Sequence, residues 1–521
     1  MVRMDREISE KQERTEAFIK KPDAGLKVVF FSVVAGMIAS HGRFLFNKLS
    51  WHDDAVALNT FGWMVEVGRW GLKVMERLSS LFWGQSSDYA IFSMPLMGGF
   101  YMCLFLTGVM YLIVRMFSIR NTFVRAVLSL LFVSCPFFCT LFAHNFVVSN
   151  YCFAFFLSVL AAYLICCHGK WYAFLSAVAA LTFTLGIYQA FLAVTLTLIL
   201  MFQMKEVADG PKMSWRAFFS KGLYYIVFVG VSVVLYLLFV KLFLYIYDVE
   251  LVPYQHVDKM GTDDIRLYVR GIGKAYSEFF SPEKAFPLNS KRLYGIALIL
   301  LGTVSAIRFS DFGCEDARLY QMLLLYLLFP ACVDFVYIMC PHMILTLTIW
   351  FGHLMVFVLL FSLMETARFQ TAALGKIRKI AILCFVAMIL MFVRIDNIVY
   401  LQGTVMQARG ISYFTTLVSQ IRNTKGYKAE YPVAFLNELG KRDGNVRDLP
   451  MIIPEIPPFW KKMIDSLNDY SWKDFIDNWC AFRPKTANGA DFENLPEVRA
   501  MPHYPDDGAI KVINGTVVVK F

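Results

Sequence analysis

Runs of close to twenty predominantly apolar residues recur from residue 26 to about residue 395. A chain patterned this way has few folding options. In hydrocarbon every backbone N–H and C=O must be satisfied inside the protein, and an apolar helix of about twenty residues does so while crossing the bilayer. Hydrophobic residues make up 58% of the chain and charged residues 17%, which sets soluble classes aside. The expected fold is a polytopic α-helical membrane protein.

Hydropathy places eleven spans at about 26–46, 90–114, 124–142, 150–167, 171–188, 189–204, 223–247, 293–309, 319–339, 343–363 and 380–396. Residues 1–25 are strongly charged, and no small-residue cleavage pattern follows the first span. They read as a cytoplasmic tail, not a cleavable signal. Basic residues gather in that tail and in alternate loops, around Arg115, Arg120 and Arg125, around Lys205, Lys212, Arg216 and Lys221, and around Arg368, Lys376, Arg378 and Lys379. With an odd number of spans these loops share one side, which the positive-inside rule makes cytoplasmic. The loops 46–89 and 248–292 and everything after residue 396 then lie on the outer side of the cell membrane.

Residues 397–521 differ in composition. Half of the chain's eighteen prolines lie there, and fifteen basic residues balance fifteen acidic ones over 396–521. The excess charge of +10 therefore belongs to the membrane part and is no nucleic-acid signal. Strand-like runs at Pro432–Leu436 and from Val512 to Val519, with a helical stretch over Gln407–Ile421, predict a small α+β extracytoplasmic domain. Cys480 is the one cysteine in this segment, so no disulfide framework is expected.

The chemistry concentrates just past the first span. Trp51-His52-Asp53-Asp54 sets two adjacent carboxylates at the hydrocarbon boundary, where unpaired charge is costly. Residues 55–83 read as one amphipathic helix carrying Glu66, Arg69 and Lys73 among Trp63, Trp70, Phe82 and Trp83. If the substrate is a sugar on a lipid phosphate, a carboxylate must take the proton of the attacking hydroxyl and cations must stabilise the departing phosphate. Adjacent acids drive their pKa values apart, so Asp53 or Asp54 can serve as base. Arg69 and Lys73, one helical turn apart, can hold the phosphate. The plainer alternative is that the pair caps the following helix, and the two roles are compatible.

Other polar groups share the outer side. His144, Asn145 and Asn150 form one short turn, and Tyr188-Gln189 sits at another, where both can hydrogen-bond sugar hydroxyls. Asp263, Asp264, Arg266, Arg270 and Lys274 form a second charged set, whose plainer role is a solvated or headgroup-facing helix face. Asp334 lies within the ninth span, with Lys241 or His342 as candidate partners. No His-Glu-x-x-His or paired Cys-x-x-Cys spacing supports a divalent metal, and no Walker-type or dinucleotide glycine loop is present.

His52-Asp53-Asp54, Gly68-Arg69-Trp70 and Leu185-Gly186-Ile187-Tyr188-Gln189-Ala190 together resemble the GT-C class of polytopic glycosyltransferases, and within it the Gtr-type bacterial glucosyltransferase family. The resemblance covers about residues 26–395. It implies an extracytoplasmic site, a polyprenyl-phosphate-linked hexose donor (typically glucose, as undecaprenyl phosphate glucose) and inverting one-step transfer with the first-loop Asp as base. Carried onto this chain, the base is Asp53 or Asp54, with Asp53 favoured, and Arg69, Lys73, Tyr188, Gln189, His52 and Asn145 form the donor-binding set. The implied partners are the bilayer, the lipid-linked sugar, a glycan acceptor such as O-antigen, and the synthase and flippase that supply the donor. A flippase would instead line a central cavity with charge, and a polysaccharide polymerase or ligase would place catalytic Arg and His in a large mid-chain loop such as 248–292. Poverty of central charge and the outer domain weigh toward an enzyme.

Overall fold

The computed structural model describes residues 24–49, 54–55, 64–83, 93–253, 264–282, 286, 290–310, 312–313, 316–341, 347–365, 372–436 and 472–521. Helices dominate. After α1 (Ala24–Leu45) and the short α2 (Trp70–Trp83) come α3 (Pro95–Met116), α4 (Thr122–Val133), α5 (Pro136–Ala143), α6 (Val148–Cys167), α7 (Trp171–Ile187) and α8 (Leu192–Asp209). The second half holds α9 (Trp215–Tyr247), α10 (Ile265–Phe280), α11 (Ser290–Phe309), α12 (Ala317–Val333), α13 (Phe335–Met339), α14 (Leu354–Met364) and α15 (Ala372–Asn423).

Local chemistry explains many of the boundaries. Asn121 and Ser214 cap α4 and α9 by accepting from Val124 N–H and Ala217 N–H. Pro95 and Pro136 occupy first-turn positions, where a missing N–H costs nothing. Pro136 also separates α4 from α5, which meet at a 41° bend. By length and composition seven helices can cross a membrane, and the bent α4–α5 pair makes an eighth. Three shorter apolar helices, Trp171–Ile187, Ala317–Val333 and Trp350–Met364, fall on three further expected spans. Over its most apolar window α8 is 78% buried and α9 only 22%, so α8 lies inside the bundle and α9 at its edge.

Because successive helices reverse direction, the turns sort into two ends. At one end Phe146 N–H reaches Asp54, and Val252 N–H reaches Glu66 O at 2.9 Å. At the other, Gln321 donates to Met213 O at 2.9 Å, and Glu365 accepts from the N–H groups of Arg120 and Asn121. The first is called the site end below.

The 52-residue helix α15 ties the body to the tail. His41 of α1 shares a hydrogen bond with the Tyr400 hydroxyl at 2.7 Å and another with Val133 O at 2.8 Å, joining α1, α4 and α15 in the core. The boundary expected at residue 396 falls inside α15, so the helical Gln407–Ile421 stretch is the end of this longer element. Beyond it β1 (Val433–Leu436), α16 (Trp472–Cys480), β2 (Thr486–Ala487), β3 (Ile510–Ile513) and β4 (Thr516–Lys520) form a small α+β unit, its sheet ordered β2-β1-β4-β3. The β3–β4 hairpin turns through Asn514-Gly515, both at positive φ, the backbone that a two-residue turn of this type needs.

Candidate functional site

Asp54 is fully buried and forms an ion pair with Lys48. Its Oδ1 accepts from the Ser93 hydroxyl and, at 3.2 Å, from Phe146 N–H. Ser93 in turn accepts from the Asn145 amide at 3.0 Å and from the Lys48 ammonium. Burial raises the Asp54 pKa above the usual carboxylate value and lowers that of Lys48, because loss of hydration outweighs the attraction between them. Ser93 and Phe146 are 39 and 92 residues from Asp54 in sequence. Asp54 is thus satisfied by elements distant in sequence. His52 and Asp53 lie outside the described residues.

The single helix expected over 55–83 is broken. A 3₁₀ turn spans Val65–Val67, Gly68 is left-handed at φ 74°, and α2 starts at Trp70. Gln189 enforces the break: its amide donates to Val67 O at 3.3 Å and to the Tyr236 hydroxyl at 2.9 Å. A Cβ on Gly68 would sit 2.8 Å from that hydroxyl, so both space and φ demand glycine here. The amide of Gln189, expected on sugar hydroxyls, therefore shapes the turn that presents Arg69.

Arg69 precedes α2, so it does not share a helix face with Lys73. Its Nη1 donates to the Tyr151 hydroxyl at 3.1 Å, and its guanidinium lies 5.2 Å from the Tyr188 ring centroid. Tyr188 stacks on Tyr151 with centroids 4.5 Å apart and planes 18° off parallel. Lys73 pairs with Glu76 at 2.5 Å and sits 5.7 Å from the Tyr247 ring. Next to Arg69, Trp70 packs against Phe183, Phe239 and Phe243. The start of α2 crosses the end of α7 closely: a Cβ on Gly186 would fall 2.5 Å from the Trp70 ring, and one on Gly71 would fall 2.8 Å from the Gly186 carbonyl carbon. Two segments that stand apart in sequence, Gly68-Arg69-Trp70 and Leu185–Ala190, thus lock together.

One short stretch joins the two clusters. Asn145 and Phe146 contact the Ser93–Asp54 group, and Tyr151 contacts Arg69. The first contacts are made in the 3₁₀ turn just before α6 and the second in the first turn of α6. Lys48, Ser93, Tyr151 and Tyr236 escape a reading of the sequence, because lone polar residues at span ends carry no spacing signal. Among the described residues no group of three or more His, Cys, Asp or Glu could hold a metal.

The second charged set is elsewhere. Asp264 caps α10 by accepting from Arg266 N–H at 2.9 Å, and Lys274 lies 4.4 Å from the Tyr337 ring centroid. Asp334, between α12 and α13, is 2% exposed and faces buried His353 at 3.4 Å. Of the two expected partners, Lys241 is exposed on α9, and His342 lies outside the described residues.

No curated protein and no solved structure matches this chain. The family model of Glucosyl transferase GtrII matches residues 42–363, which contain both clusters and more than half of the sequence. The chain, built around a buried acid and a tyrosine-framed arginine at one end of a helical membrane body, belongs to the GtrII glucosyltransferase family.

Proposed function

We propose that the protein moves glucose from a polyprenyl-phosphate donor to a cell-surface glycopolymer, at the site end of the bilayer-embedded body and on the outer face of the membrane. In this reading the chain spans the cell membrane eleven times with its N-terminus in the cytoplasm and its C-terminal unit outside, in a GT-C-like arrangement. The observation that carries it is that one stretch of chain bonds both groups: Phe146, just before α6, donates to Asp54, the sequence neighbour of Asp53, and Tyr151 in the first turn of α6 accepts from Arg69. A carboxylate and a guanidinium on one short stretch are what sugar transfer from a phosphate requires.

The step is inverting and single. A carboxylate takes the proton of the acceptor hydroxyl, the freed oxygen attacks C1 of glucose, and the C1–O bond to phosphate breaks. Polyprenyl phosphate departs, with Arg69 stabilising its charge. Asp54 is at 0% exposure with its oxygens already engaged, so it suits holding the loop. That leaves Asp53 as the base. His52 and Lys73 complete the donor side, with Lys73 released from Glu76 when phosphate binds. A synthase and a flippase that deliver the lipid-linked sugar are the implied partners.

The test is transfer of labelled glucose from polyprenyl phosphate by purified, folded protein. Asp53→Asn should abolish transfer while leaving donor binding intact. If Asp53→Asn and Asp54→Asn both transfer normally, the base assignment fails. Comparing surface glycans with and without the gene separates the classes: loss of one hexose branch supports this reading, and loss of the whole polymer opposes it.

A further inference from the structure

The loop that carries the acidic pair is held from the far end of the sequence. Gln407 of α15 donates its side-chain amide to Lys48 O at 3.0 Å, and Asn478 of α16 donates to Ala55 O at 3.0 Å. The two carbonyls belong to Lys48, the ion-pair partner of Asp54, and to Ala55, its neighbour, so one amide holds each side of the buried acid. Both donors lie beyond residue 363, where the family match ends.

The donors sit on a rigid frame. Trp472 of α16 stacks on Phe414 of α15 at 6.2 Å, 8° off parallel, and Phe475 packs on the same ring at 5.7 Å. Gln407 itself is 7% exposed. Through Tyr400 and His41, α15 is bonded in turn to α1, the helix from which the loop departs. The loop is thus fixed at its root by α1 and at both shoulders by the tail.

We propose that Gln407 and Asn478 are positioning residues that clamp the acidic loop, making the C-terminal unit a working part of the transferase site. The proposal rests on the transfer reaction above for its kinetic consequence, though not for its structural one. A general base must lie within hydrogen-bond reach of the proton it takes, and a misplacement of about 1 Å can cost up to about 100-fold in rate. Both of these hydrogen bonds end on a backbone carbonyl, so removing the amide leaves the loop's own side chains unaltered.

The experiment uses full-length protein in nanodiscs with Asn478→Ala, Asn478→Asp, Gln407→Ala and the Asn478→Ala/Gln407→Ala pair. Amide hydrogen exchange over residues 48–55 and steady-state transfer are both measured. Exchange should quicken locally, with kcat falling about tenfold in each single variant and further in the pair, while donor KM stays within about twofold. Asn478→Asp, which keeps the volume and loses the donor, should match Asn478→Ala. Unchanged exchange over 48–55, or exchange that quickens equally throughout the protein, overturns the clamp whatever the activity. Quickened local exchange with unchanged kcat overturns the positioning role. Absence of glucose transfer by the wild-type protein defeats the proposed reaction, and the exchange data still test the clamp.

Discussion

The two ends of the helical body are held in different ways. Opposite the site, loops are laced by ion pairs: Lys221 with Glu206, Lys205 with Asp209 and Arg378 with Glu365 are partly exposed, while Arg308 with Asp209, and Lys212 and Arg318 with Asp316, each rest on one buried partner. The Arg318 hydrogen bonds hold the Asp316 carboxyl below its ordinary pKa. At the site end one buried acid collects Lys48, Ser93 and Phe146 N–H, and tyrosines frame Arg69. Redundant, water-screened pairs tolerate loss because each is worth only about 0–1 kcal/mol. A buried carboxylate with its donors in place does not, because any removed partner leaves a group unsatisfied. In the proposed reading, tolerance marks the end that anchors the fold, and intolerance the end assigned to the chemistry.

The largest effect should come from the acidic pair. Asp53→Asn should lower kcat by about 10²–10⁴-fold, the usual worth of a general base, at unchanged stability. Asp54→Ala should instead destabilise by about 3 kcal/mol, the low end for breaking a buried pair, because the Lys48 side chain keeps 21% exposure. Denaturant melts beside kinetics would reveal a reversal of these roles. Next, Arg69→Ala should weaken donor binding by about 10–100-fold, the range of one or two charge-assisted hydrogen bonds, and Arg69→Lys should not restore it. Equal donor affinity in Arg69→Ala and wild type would remove Arg69 from the phosphate.

Gly186→Ala should cost about 1–3 kcal/mol through overpacking against Trp70, and should weaken donor binding as α2 shifts. A stability loss with donor affinity unchanged would show that the Trp70 contact is only packing. The smallest effect belongs to the opposite end. Glu206→Gln should change stability by no more than about 1 kcal/mol and leave transfer at wild-type level. A strong loss of activity there would break the contrast between the two ends.

Much of this architecture is legible in the residues alone. Apolar runs announce membrane helices because the bilayer imposes one solution on the backbone. The strand-like runs at Pro432–Leu436 and from Val512 to Val519 and the helix at 265–280 follow from residue type and position. The helix expected over 55–83 fails because its periodicity is helical throughout, while the break at Gly68 is imposed by Gln189 and Tyr236, over a hundred residues away. The Val67 and Tyr236 partners of Gln189 escape the sequence for the same reason: a polar side chain advertises its chemistry but not its partner.

By itself the sequence determined the class, the helical elements and which residues carry charge to a membrane boundary, since these depend on local composition and on the solvent the chain must satisfy. Only the tertiary structure decided that Asp54 is buried against Lys48 and Ser93, that Arg69 stands on a broken helix framed by two tyrosines, and that the tail reaches back to the acidic loop. Those are long-range hydrogen bonds and ring contacts. Their energies arise from geometry that no stretch of contiguous residues encodes.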